Sequence, residues 1–442
     1  MGEVARGGAA AGRVSDAAGI ALSGDAVAGN TVVRSTPAAH GSGATAGAGV
    51  EAGRVPIAPA VTESGDIVVG RAPGAPNAVA GGIAAHHTSA ADLRLAAIDI
   101  GTVSTRLLCA TVRDGAITQE FKRTIITDLG AGVDATGRFA PDAVARVLDA
   151  CARFCADIAA HGAQHVSTTL TSAARDAKNG DLLLNGLCEL GLKPQVIPGE
   201  VEARLTFYGV ARDFPGERIA VADLGGGSTE LTVGALTAHL GKLPADTLAS
   251  RPDRPSPGAP TPRPVERLAL ERVASLDIGC RRVTERFFAS LPPRVDELAA
   301  AAAWARDLYV PYWQELGSRP DRLVAVGGTV TTLVALVHEL AVYDSTFVHL
   351  RDLTLSQVEA CIDLMRGLDA AGIAALPGVQ AKRAGVLLAG AVALRELMRA
   401  GGYDRLTVSE NSLLVGAVAT MADALVSGTT AIGWVPELSA HV

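Results

Sequence analysis

None of the six cysteines is paired in a Cys-x-x-Cys spacing. Cys151 and Cys155 stand four apart in a helical pattern, but no nearby histidine completes a zinc set. Neither a structural zinc nor a disulfide framework is expected, and free buried thiols fit a reducing, cytoplasmic setting. No apolar run approaches the ~20 residues of a membrane span. The opening Met1-Gly2-Glu3-Val4-Ala5-Arg6 leads into no apolar signal core. No membrane partner is expected. Positive charge is not in excess: 39 Lys and Arg stand against 46 Asp and Glu, a formal net charge of −7. A global basic field for nucleic acid is therefore excluded, and a polyanionic substrate needs a local basic cleft. Aromatic residues are absent from 1–92, where Leu22 is the single leucine. Such a segment lacks the large apolar side chains that offset chain entropy, and a structureless Ala/Gly-rich tail is expected there.

What is present is a set of glycine-rich loops. The string Val221-Ala222-Asp223-Leu224-Gly225-Gly226-Gly227-Ser228-Thr229-Glu230 ends an apolar strand in an acid, three glycines, two hydroxyls and a second acid. Glycines let consecutive N–H groups turn toward one point and cradle an anion. The flanking carboxylates suit a hard, hydrated cation such as Mg²⁺. The same logic appears in Ile98-Asp99-Ile100-Gly101-Thr102-Val103-Ser104. A third loop, Val326-Gly327-Gly328-Thr329, opens a helix, another place where phosphate is favoured.

From residue 93 onward apolar alternation and 3.6-residue periodicity take turns. Strands are expected over 93–112 (two, with a turn between), 115–124, 165–171, 193–197, 218–223, 230–234, 268–278 and 406–409. Helices are expected over 141–160, 175–190, from 202, from 283, and over 295–316, 355–367, 379–400 and 413–425. Residues 245–264, rich in Pro and Arg, read as a loop inserted between two strands. The order β-β-β-α-β-α repeats in outline after residue 218. This predicts two RNase H-like α/β domains of the actin–Hsp70–sugar kinase superfold, with phosphate loops facing across an interdomain cleft. The domains are placed at 93–206 and 207–425, with tails at 1–92 and 426–442.

The Asp99 and Asp223 loops, together with Thr171-Ser172-Ala173-Ala174-Arg175-Asp176-Ala177 and Gly199-Glu200-Val201-Glu202-Ala203-Arg204, resemble the exopolyphosphatase / guanosine pentaphosphate phosphohydrolase (Ppx/GppA) family in its short, two-domain form. Segments 129–137 and 275–280 look like family segments too. The resemblance implies that Glu202 activates the attacking water and that Asp99, Asp223 and Glu230 attend Mg²⁺, or Mn²⁺. It implies that Arg175 contacts the phosphate chain. Phosphate is then expected on Gly101, Thr102, Ser104, Gly225, Gly226, Gly227, Ser228 and Thr229, with Gly327, Gly328 and Thr329 facing a nucleoside if there is one. Arg106, Arg204, Arg281 and Arg282 join Arg175 as candidates for gripping the chain. Three departures stand out. Val103 replaces the usual Asn of the first loop, Gly385 follows Arg383-Ala384 where the family often has Arg-Ala-Asp, and Glu410-Asn411-Ser412 stands where the family has Asp-Arg-Gly. The implied activity is hydrolysis of the terminal phosphate of polyphosphate. The alternatives are hydrolysis of pppGpp to ppGpp, phosphate transfer by an actin-like kinase, and a non-catalytic polyphosphate or alarmone binder. A homodimer remains open as the assembly.

Overall fold

The computed structural model describes residues 60–61, 67–70, 92–239 and 265–440. The first sheet is built from β1 (Ala60–Val61), β2 (Ile67–Gly70), β3 (Leu93–Ile100), β4 (Ser104–Arg113), β5 (Ala116–Ile126), β6 (His165–Leu170) and β7 (Pro194–Val196). The second holds β8 (Arg218–Leu224), β9 (Thr229–His239), β10 (Val265–Leu276), β11 (Arg322–Val326), β12 (Arg351–Thr354) and β13 (Arg405–Val408). A last strand, β14 (Leu438–Ala440), returns to the first sheet and pairs antiparallel with β6. β3 is covered on both faces, so Leu95, Ala96, Ala97 and Ile98 form an unbroken apolar run rather than an alternating one. Asp114-Gly115 closes β4 onto β5 in a two-residue turn with φ of 51° and 80°. These positive angles are what the tight hairpin turn demands.

The two sheets repeat one plan. In the first, β3, β4 and β5 form an antiparallel meander and β6 lies parallel to β3. In the second, β8, β9 and β10 form the meander and β11 lies parallel to β8. The β3–β4 and β8–β9 turns, which carry the two glycine loops, therefore occupy equivalent places.

Helix Gly199–Ala211 and helix Leu413–Ser427 lie between the sheets, in a core with Leu95, Leu108, Ile219, Val221, Val324 and Val326. They cross at two glycines. A Cβ on Gly416 would stand 1.8 Å from the Leu205 carbonyl oxygen, and one on Gly209 would stand 2.3 Å from that of Ser412. Backbone meets backbone there, and this approach holds the first turn of Gly199–Ala211, with Glu202, at the sheet edge.

Several expectations are corrected. The 206/207 boundary falls inside helix Gly199–Ala211, because that helix belongs to the shared core. The segment after 425 is not simply a tail, since Leu438–Ala440 adds to the first sheet. Within 1–92, β2 pairs antiparallel with β5. The rest of that expectation lies outside the described residues. So do residues 245–264, which belong to the connection from β9 to β10. The single helix expected over 175–190 is two, Ser172–Asp176 and Asp181–Glu189. Among the described residues, no helix is long and apolar enough to cross a membrane.

Gly416→Ala is expected to destabilise the protein by about 1–3 kcal/mol or more, because the obstructing atoms are backbone and cannot rotate away. Thermal unfolding against the wild type measures this. An unchanged midpoint would contradict the close crossing.

Candidate active site

The two glycine turns carry the same backbone bond. Gly101 N donates to Ser104 O at 3.0 Å, and Gly225 N donates to Ser228 O at 3.0 Å. The turns then press on each other across the lobes. A Cβ on Gly226 would lie 2.7 Å from Val103 Cγ2, and one on Gly227 would lie 2.5 Å from Ser172 Oγ. The third loop closes the far side: Gly327, at φ 107°, lies so close to the end of β8 that a Cβ would sit 2.6 Å from Leu224 O. Together they line an open cleft of about 550 Å³ with Asp99, Thr102, Ser104, Arg106, Glu202, Asp223, Ser228, Thr329 and Arg383.

Four buried carboxylates converge here. Asp99, at the end of β3, accepts from Arg106 Nε at 2.9 Å and Nη2 at 2.6 Å, all on one oxygen; its other oxygen, Oδ1, is buried without a partner. Asp223, at the end of β8, has one side-chain donor, Thr206 Oγ1, at 3.1 Å. Burial raises its pKa above the usual carboxylate value, Arg106 opposes the rise, and Asp99 adds to it. Glu230 accepts from Ser228 Oγ at 2.7 Å and Ser275 Oγ at 2.8 Å, while Oε2 is buried and unpartnered. Burial, and then Asp223, push it up to about 7. Glu202 accepts from Arg175 Nη1 at 2.7 Å. Burial and then Glu230 hold its pKa well above the usual value, against the pull of Arg175. Arg175 is itself oriented by the Ile197 carbonyl at 3.1 Å and reaches toward Ser228 and Glu230 with its other nitrogen.

The hairpin register exposes an asymmetry between the repeats. Asp99 is paired across the strands with Arg106, whereas Asp223 is paired across its own strands with Glu230. One loop is locally neutralised and the other is doubly acidic. Among the described residues, no three His, Cys, Asp or Glu side chains are grouped to hold a metal by themselves. Mg²⁺, however, keeps several waters and takes one or two carboxylates plus substrate phosphate. The Asp223–Glu230 pair, with a buried free oxygen on Glu230 and another on Asp99, fits that demand.

Beyond Arg106 the cleft continues into a second hollow of about 730 Å³ that shares Ser104, Arg106, Gly327, Gly328 and Arg383 and adds Lys122, Thr331, Tyr343, Ser409, Glu410 and Ser412. Lys122 bridges the lobes to Glu410 at 2.7 Å, and Tyr343 also donates to Glu410. Arg383 donates to Gln380 Oε1 at 2.9 Å and has no carboxylate partner among the described residues. It lies over Gly328, where a Cβ would stand 1.8 Å from its guanidinium. Sequence reasoning missed Arg383, Lys122 and Tyr343 as cleft residues; the Gly327-Gly328 pair was the available hint.

Most of the expected residues meet, and four do not. Thr229 turns its hydroxyl into the core, donating to Ile278 O at 2.6 Å. Strand alternation accounts for this, since Ser228 and Glu230 share the cleft face and Thr229 takes the other. Arg204 reaches Ile432 O at 3.3 Å, away from the cleft. Arg281 is paired with Asp128, and Arg282 is consumed by Asp134, Asp176 and Gly227 O.

Two repeated α/β lobes with paired glycine turns at an interlobe cleft define an actin/Hsp70/sugar kinase-like protein. Within that class the chain belongs to the Ppx/GppA phosphatase family, which it matches over residues 108–424. It is 34% identical over 346 residues to exopolyphosphatase 2 of Mycobacterium tuberculosis, covering 74% of this chain and 98% of that one. It is 28% identical over 241 residues to the guanosine-5'-triphosphate,3'-diphosphate pyrophosphatase of Vibrio vulnificus, covering 54% of this chain and 42% of that protein. The solved Ppx/GppA family member of Aquifex aeolicus superposes with a TM-score of 0.59 at 28% identity, over 76% of this chain and 98% of that one.

Arg383→Gln is expected to raise KM at least ~10-fold with little loss of stability. An isolated guanidinium is costly in the empty site, and its loss is felt when an anion must be bound. Steady-state kinetics beside a thermal melt reads both; an unchanged KM would remove Arg383 from substrate binding.

Proposed function

We propose that the protein is an exopolyphosphatase that hydrolyses the terminal phosphate of inorganic polyphosphate, with water oriented and deprotonated by Glu202. The observation that carries this reading is the setting of Glu202: a buried carboxylate with a raised proton affinity, aimed by Arg175 at the cleft between the two glycine turns. A base poised above the ordinary carboxylate range abstracts a proton from water more effectively near neutral pH. The amides of Gly101 and Gly225 close the two turns on Ser104 O and Ser228 O, so those between them, 102–103 and 226–227, would hold the terminal phosphate, with Arg383 and Arg106 for the anion behind it. Asp223 and Glu230, with Asp99 beside them, would hold Mg²⁺ or Mn²⁺. That ion supplies charge neutralisation on the transferred and leaving phosphates.

Of the five arginines first expected to grip the chain, Arg106 and Arg175 remain beside the cleft, because Arg204, Arg281 and Arg282 are spent elsewhere. The cleft cations are few, and Arg106 and Lys122 are already balanced by Asp99 and Glu410. This favours short polyphosphate over long polymers. A second reading, pppGpp hydrolysis, draws on the hydroxyl-rich wall of the second hollow (Thr331, Ser409, Ser412, Tyr343), which suits a ribose or base.

Parallel phosphate-release assays on short polyphosphate, long polyphosphate and pppGpp test the choice. Short polyphosphate is expected to give the highest kcat/KM, falling as salt rises because the grip is ionic. A preference of about tenfold or more for pppGpp, more than one decade of specificity, would move the protein to the alarmone branch.

Glu202→Gln is expected to keep substrate binding and lose ~10²–10⁴ in kcat. Activity should also vanish in EDTA and return with Mg²⁺ or Mn²⁺, and the Asp223→Asn/Glu230→Gln double variant should need far more metal. Near wild-type turnover in the Gln variant, or full activity in chelator, refutes the corresponding role.

A further inference from the structure

Two stretches that the proposed chemistry leaves unused, 128–134 and 280–286, meet each other across the lobes. Helix Cys280–Phe287 of the second lobe supplies Arg281, Arg282, Glu285 and Arg286. Asp128, Gly132, Asp134 and Asp176 of the first lobe receive them. Gly132 N donates to Glu285 Oε1 at 3.0 Å, and Arg286 Nε donates to Asp134 Oδ2 at 2.6 Å. Arg282 is the centre of the contact. It is 8% exposed and uses all three faces of its guanidinium: Nε to Gly227 O at 2.8 Å, Nη1 to Asp134 Oδ1 at 2.5 Å and Nη2 to Asp176 Oδ2 at 2.5 Å.

The second glycine turn is packed from the first lobe by Val103 and Ser172 and reached at Ser228 by Arg175, and it is held by backbone bonds from its own lobe. The amides of Cys280 and Arg281 donate to the carbonyls of Gly225 and Gly226 at 3.0 and 2.9 Å. Gly227 O is the point at which the turn is tied, through Arg282, to carboxylates of the opposite lobe. Asp176 also directly follows Arg175, which aims Glu202. One side chain thus fixes the phosphate cradle of one lobe against the base-orienting arginine of the other.

We propose that Arg282 is a positioning residue for catalysis: its fork sets the register between the Gly225–Gly227 cradle and the Arg175–Glu202 pair without touching substrate. A guanidinium suits this task because three donors in a rigid plane fix three acceptors at once, and an ammonium cannot. The consequence falls on kcat. The arginines that hold the phosphates, Arg106 and Arg383, are anchored elsewhere, so ground-state binding survives while attack geometry drifts. A drift of about an ångström in a reacting pair costs on the order of 10²-fold in rate.

The test is Arg282→Lys, assayed on whichever of polyphosphate or pppGpp the wild type turns over, so it does not depend on the choice of substrate. The expected result is a folded protein whose kcat falls at least ~10-fold while KM moves less than about threefold. Asp176→Asn, at a partly exposed partner, should lose a smaller part of kcat in the same pattern. The double variant should lose less than the product of the two single effects, because both remove the same contact. Retention of kcat in Arg282→Lys, a rise in KM with kcat unchanged, or independent effects in the double variant would overturn the proposal. If Arg282→Lys does not fold, Asp176→Asn decides alone, and wild-type kcat in it rejects the role. A wild type inactive on every phosphate anhydride would instead reject the hydrolase reading.

Discussion

Four buried carboxylates share two guanidinium groups, and the rest of the structure is arranged around that imbalance. Asp99 has Arg106 and Glu202 has Arg175, while Asp223 and Glu230 take their side-chain hydrogen bonds from hydroxyls and share those two cations at longer range, Arg175 standing 3.7 Å from Glu230. Burial first, and the neighbouring carboxylates after it, disfavour ionisation, which is why Glu202, Asp223 and Glu230 all hold their protons more tightly than free carboxylates. The sign follows directly. A folded-state pKa above the unfolded one means that the fold binds more protons between the two values, so these groups cost stability as pH rises through that window. A fold tolerates such a site only when the backbone around it is over-determined. The glycine turns, the crossing at Gly209 and Gly416, and the interlobe ion pairs provide that rigidity.

The imbalance has its origin in a repeated hairpin whose copies have diverged at one position. Both lobes place an acid at the end of a central strand, and the register brings Arg106 beside the first and Glu230 beside the second. The same backbone therefore yields a neutralised turn on one side and a doubly acidic one on the other. Under the proposed hydrolysis, a phosphate chain entering between them would meet both turns, and the doubly acidic second turn is the one suited to an added cation. The chemical polarity of the cleft is set by this single difference, not by any difference in fold.

What could be read from the sequence divides along the same physical line. Asp99, Asp223 and the glycines were legible because a turn that must approach another backbone leaves few residue choices, and those choices are local. Helix 141–160 was legible because Val144, Val147, Leu148, Cys151, Phe154 and Cys155 recur at the helical period, and all are buried except Leu148 and Cys155, which are half-buried. The arginines were not legible. An arginine's identity is local, but its partner is set by topology, so Arg282, expected to grip the chain, is spent between the lobes, while Arg383, given no role from the sequence, stands in the cleft. Thr229 was misread although the signal was present, since strand alternation already separates it from Ser228 and Glu230. The return of Leu438–Ala440 to the first sheet, and the helix that straddles the expected domain boundary, depend on contacts between distant segments that no local pattern encodes.

Val103 shows how the first loop keeps its place without the amide side chain usual in the family. Its side chain is 5% exposed and packs with Ile126 of its own lobe and with Cys280 and Val386 of the other. An asparagine among those neighbours would bury an amide without partners, at a cost of about 1–3 kcal/mol. The loop is instead fixed through its backbone, with Thr127 N and Asp128 N donating to Val103 O at 3.1 and 2.9 Å and Gly130 N donating to Thr102 O at 2.8 Å. The contact a polar side chain would have made with a ligand is thereby exchanged for apolar contact between lobes. Cys280 opens the helix that carries Arg282, so this small apolar cluster and the ion pairs beside it act on the same helix end. Packing and charge together hold the two glycine turns against each other across the cleft.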